Sequence, residues 1–123
     1  MKKIWFFCLL TFIGSWTLLQ GVDYATEIQP IFSTNCTGCH NGSHSTGLDL
    51  RSYESVMSGS NNGLVIISGD HSSSLLWQHV SSGYMPMGGA DLSDADVNSI
   101  AQWIDSGATL KISPVQTASQ FQI

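Results

Sequence analysis

Positive charge is scarce in this chain. Only four Lys and Arg occur among 123 residues, against nine Asp and Glu. Two of the four, Lys2 and Lys3, stand at the start, so Arg51 and Lys111 are the only strong cations after residue 21. Phosphate backbones are gripped by Lys and Arg, and this balance excludes nucleic acid as a partner. It also excludes attachment to anionic lipid through a basic patch. With two cations and nine carboxylates, the chain beyond residue 21 carries a net charge near −7. A partner protein with a basic docking face would be steered toward it.

Long apolar runs are nearly absent as well. The exception is Ile4 to Leu19, interrupted by Thr11, Gly14, Ser15 and Thr17. A membrane-spanning helix needs about 20 apolar residues, so this run suits the core of an export signal better. Lys2 and Lys3 precede it and the small Gly21 follows, which predicts a signal peptide over residues 1–21 and a periplasmic or other extracytoplasmic location. An uncleaved N-terminal anchor is the alternative. Cys8 lies within the run and reads as a small hydrophobe.

Cysteine is too rare for a disulfide framework. Only Cys36 and Cys39 remain beyond the signal, in Cys36-Thr37-Gly38-Cys39-His40. The C-x-x-C-H spacing suits covalent attachment of haem. Each thiol adds to one vinyl group, and the adjacent His40 supplies an axial nitrogen to the iron. Two other readings stay open. A thioredoxin-like redox pair should follow a strand, yet the residues before Cys36 read as helix. A zinc site could count Cys36, Cys39, His40 and His44, but zinc ligand pairs are normally a dozen or more residues apart.

A low-spin iron needs a second axial ligand. Met57, Met85, Met87, His44, His71 and His79 are candidates. Met85-Pro86-Met87-Gly88-Gly89 favours Met85, because Pro86 biases the preceding residue toward extended backbone. The two glycines would let the loop approach the macrocycle closely. Met87 and His79 are the rivals. His44 and His71 sit in Ser- and Gly-rich loops and read as solvated.

The element pattern is short helices joined by long loops. A helix over about Tyr24–Thr34 has Asp23 as N-cap, with Pro30 shifting its start or kinking it. Ser52 caps a helix over 53–58, stopped by Gly59. Leu64-Val65-Ile66-Ile67 fits a strand or an extended segment. Another helix covers Leu75–Ser81 and ends at Gly83. The last opens with Ser93-Asp94-Ala95-Asp96 as a capping box and repeats Val97, Ile100, Ala101 and Ile104 until Gly107. Residues 112–123 read as a tail, leaving 22–111 as the domain. So thin a core needs extra apolar surface. A haem would supply it, with Leu48, Leu50, Leu64, Leu75, Trp77 and Ile100 as its expected wall. Trp103 is a further candidate, although generic core packing suits it better. Arg51 could meet a haem propionate or pair with Asp49 or Glu54.

The series Cys36-x-x-Cys39-His40, Gly47-Leu48-Asp49-Leu50-Arg51-Ser52-Tyr53-Glu54, Gly69-Asp70, Ser74-Leu75-Leu76, Met85-Pro86 and Trp103-Ile104-Asp105-x-Gly107-Ala108 resembles the planctomycete-type cytochrome c domain, over about Ile28 to Ala108. Met87 departs from the family pattern, which often has a second proline there. The resemblance implies an all-α, small class I-like cytochrome c fold with three to five short helices around one covalent haem. It implies haem links at Cys36 and Cys39 and iron ligands His40 and Met85. The expected function is single-electron transfer rather than enzymatic catalysis. A peroxidase-like enzyme or sensor with a displaceable distal Met is the alternative.

Overall fold

The fold was analysed in a computed structural model that describes residues 21–111. The expected signal peptide and tail lie outside the described residues, save Gly21. Four α-helices and one π-turn make up the regular structure, and no strand occurs among the described residues. The all-α expectation holds.

Asp23 starts the first helix as expected. Its carboxylate accepts from the Thr26 N–H at 2.9 Å, and Glu27 accepts in return from the Asp23 N–H at 2.6 Å. A π-turn over Tyr24–Ile28 then leads straight into α1, Gln29–Asn35. Pro30 accounts for the change of register. In regular α geometry its ring would collide with the carbonyl four residues back, and a wider turn relieves that clash.

Helix α2, Tyr53–Ser58, is capped by reciprocal bonds between Ser52 and Ser55 and stops at Gly59. Helix α3, Leu75–Ser81, follows Ser74, whose hydroxyl makes no helix cap. Instead it is fully buried and binds the 65–70 segment, accepting from the Ile67 N–H at 2.8 Å and lying 2.8 Å from the Asp70 carbonyl. This bond fixes Leu64–Ile67 as an extended stretch, not a strand. Val65 and Ile66 are buried, while Leu64 is 60% exposed.

Helix α4, Asp94–Asp105, is capped by the Ser93 hydroxyl, which accepts from the Asp96 N–H at 3.1 Å. The returning half of the expected capping box does not form, because Asp is one methylene shorter than the Glu that usually makes it. The buried face of α4 carries Ile100, Trp103 and Ile104, all at zero exposure. Tyr24 packs 5.1 Å from the Trp103 ring and 5.2 Å from the Tyr53 ring, between centroids. This aromatic cluster joins the N-terminal helix to α2 and α4. Trp103 is therefore core, and its Nε1–H donates to the Thr109 carbonyl at 3.1 Å.

Candidate cofactor site

Helix α1 ends on Cys36, whose N–H donates to the Phe32 carbonyl at 2.8 Å. The chain then turns tightly. The Cys36 carbonyl accepts from the Cys39 N–H at 3.2 Å and from the His40 N–H at 2.9 Å. The His40 carbonyl accepts from the Leu50 N–H at 3.0 Å, which ties the turn to the segment ahead of α2. Met85 comes from the opposite direction. Its N–H donates to the His79 carbonyl at 3.1 Å, so the end of α3 anchors the loop that carries it. The Met85–Pro86 peptide is cis.

These two segments face one cavity of about 410 Å³. Cys36, Cys39, His40 and Met85 all line it, with apolar walls from Phe32, Leu48, Leu50, Val65, Leu75, Leu76 and Val80. Both thiols are free. Burial pushes the Cys36 thiol up to about 11, and Cys39 is exposed. Burial, and secondarily the neighbouring His44, lowers the pKa of His40 and so favours its neutral form. Its Nδ1 is buried without a hydrogen-bond partner.

The other expected residues divide. Leu48, Leu50 and Leu75 line the cavity, but Leu64, Trp77, Ile100 and Trp103 do not. Ile100 and Trp103 are on the core face of α4, and Trp77 packs edge-on to His71 at 4.4 Å. Phe32, Val65, Leu76 and Val80 take their place, residues with no signal beyond being apolar. Met57 packs on the core away from the cavity. Met87 reaches the rim and is 70% exposed, whereas Met85 is half-buried against the core. His79 also lines the cavity. His44, expected in solvent, lines it too, 4.8 Å from His40 between ring centroids. His71 stays outside and binds Asp105 at 2.8 Å. Arg51 pairs with Asp49 at 2.7 Å and does not line the cavity. Among the described residues no three His, Cys, Asp or Glu side chains are grouped to hold a metal, so the four residues counted for zinc do not converge.

Comparison with known proteins bears on the stretch that builds this cavity. Residues 36–87 match the family model of planctomycete cytochrome C. The match is narrower than the resemblance over Ile28–Ala108, and α1 and α4 lie outside it. It includes Cys36, Cys39, His40 and Met85. No curated protein and no solved structure matches the chain. Cytochrome c domains bind haem and typically transfer electrons outside the cytoplasm. The cavity fits that cofactor: its walls are apolar, two free thiols stand beside an imidazole, and the buried Nδ1 of that imidazole is unpartnered. No helix among the described residues is long and apolar enough to cross a membrane.

Proposed function

We propose that this chain is an exported monohaem c-type cytochrome that carries single electrons, with haem linked at Cys36 and Cys39 and ligated by His40 and Met85. The reading rests on one observation: the two thiols, the imidazole and one half-buried thioether line the same apolar cavity. When bound, haem supplies the one-electron iron couple.

The chain's residues do the rest. The turn after α1 holds Cys36, Cys39 and His40 in fixed register. The lowered pKa of His40 favours the neutral ring, whose lone pair can bind a metal. A thioether ligand favours the reduced state relative to a second imidazole. Leu48, Leu50, Val65, Leu76 and Val80 exclude water, which strengthens that preference. Met85 is favoured over Met87 by its burial and by its anchored backbone.

Mass and optical analysis of the matured protein tests the reading. One covalent haem is expected, with a methionine-to-iron band that disappears in Met85→Ala and persists in Met87→Ala. A mature protein with free thiols would overturn the assignment. Ready binding of carbon monoxide by the reduced protein at neutral pH would overturn stable Met85 ligation and favour an enzyme or sensor.

A further inference from the structure

Haem brings two propionate carboxylates as well as an apolar face, and buried carboxylates need donors. Among the described residues no Lys, Arg, Asp or Glu lines the cavity. Arg51 is engaged by Asp49 through two side-chain bonds, at 3.0 and 2.7 Å. The polar side chains that do line the cavity are uncharged or histidine.

Four of the polar side chains that line the cavity, His44, Thr46, Ser60 and Asn62, come from two neighbouring loops. Their two loops are joined by Asn61, whose N–H donates to the Thr46 carbonyl at 2.8 Å and whose side-chain amide reaches the Ser45 carbonyl at 3.4 Å. Gly47 permits the junction: its φ is +69°, and a Cβ there would lie 2.5 Å from Asn61 Oδ1.

Two of the four are already occupied. The Ser60 hydroxyl donates to the Gly63 carbonyl at 3.2 Å and accepts from the Asn62 N–H at 3.1 Å. The Thr46 hydroxyl lies 2.9 Å from His44 Nδ1. The Thr46 backbone N–H can only donate, and it reaches the same Nδ1 at 3.3 Å. Nδ1 is thus the acceptor, and the ring carries its proton on Nε2. The His44 Nε2–H and the Asn62 amide are left without protein partners among the described residues. We propose that the His44 Nε2–H and the Asn62 side-chain amide donate to the haem propionates.

The inference rests on the haem reading above. It is tested on the matured, full-length protein with Asn62→Leu, His44→Phe and the double variant. Asn62 is exposed, so its replacement leaves the fold intact. The readout is the set of propionate carboxylate bands in the redox-triggered infrared difference spectrum. Each single variant is expected to shift these bands, and the double variant to shift them further, with covalent haem retained throughout. Haem attached and bands unmoved in all three variants would overturn this assignment alone. Absence of covalent haem from the unsubstituted protein would overturn the underlying reading instead.

Discussion

His71 binds Asp105 through both its backbone and its ring: the N–H donates to Oδ1 at 3.0 Å, and ring Nδ1 lies 2.8 Å from Oδ2. The pair joins the loop ahead of α3 to the last residue of α4, across 34 positions of sequence. The His71 backbone N–H, followed by its ring, holds the Asp105 carboxyl below the usual carboxylate range. The folded pKa lies under the unfolded one. Its contribution to stability is therefore complete above the unfolded value, about 3.9, and is lost as pH falls through the folded value. Asp105→Ala is expected to lower the denaturant midpoint at neutral pH, with the gap to the parent protein closing below about pH 4. Parallel unfolding curves from pH 7 to 2 check this, and a gap that is constant with pH would refute it.

Tyr53 donates its hydroxyl to the Ala108 carbonyl at 2.9 Å, 55 residues away, and so fastens α2 to the turn after α4. Tyr53→Phe keeps the ring in the aromatic cluster and removes only this bond. A loss of about 1 kcal/mol in unfolding free energy is expected. Urea titration measures it.

Gly59 ends α2 at φ +79°, and a Cβ there would meet the Gly63 carbonyl oxygen at 2.5 Å. Both the backbone conformation and a backbone atom oppose any side chain. Gly59→Ala is expected to cost more than about 1 kcal/mol, since the native conformation is one Ala cannot adopt without strain. Gly63→Ala also has a positive φ but meets nothing within 4 Å, so its cost should be smaller. Thermal melts of the two variants decide the order.

Phe32 packs at the end of α1 with 1% exposure and also lines the cavity. Phe32→Ala is expected to cost about 3–5 kcal/mol. In the haem-loaded protein it should also open the wall to water and lower the midpoint potential. Denaturation and potentiometry read these two effects separately.

Helix starts and stops were the most legible features of the sequence. Asp23, Ser52 and Ser93 cap the starts of three helices, and Gly59, Gly83 and Gly107 follow the ends of α2, α3 and α4 with positive φ. These are contacts within three or four residues, so local sequence contains both partners. Ser74 is the informative failure. It sits at an N-cap position, yet its hydroxyl turns inward to the 65–70 segment, because that segment's buried backbone groups had no nearer partner.

The candidate site divides along the same line. Cys36, Cys39 and His40 share one turn, and their mutual register follows from five consecutive residues. Met85 was favoured from its neighbours, but its half-burial beside an exposed Met87 became visible only with the end of α3 in position. The expected wall failed at Leu64, Trp77, Ile100 and Trp103 because the apolar residues of a short helix or loop do not reveal which neighbour they face.

What the sequence determined by itself was the C-x-x-C-H spacing, the helix boundaries and the scarcity of cationic side chains, since each depends on residue type or on bonds spanning a few positions. Tertiary structure alone decided which apolar residues wall the cavity and that Met85, not Met87, is half-buried beside them. Those outcomes depend on how the helices rotate and close on one another, and that is fixed by contacts between residues tens of positions apart.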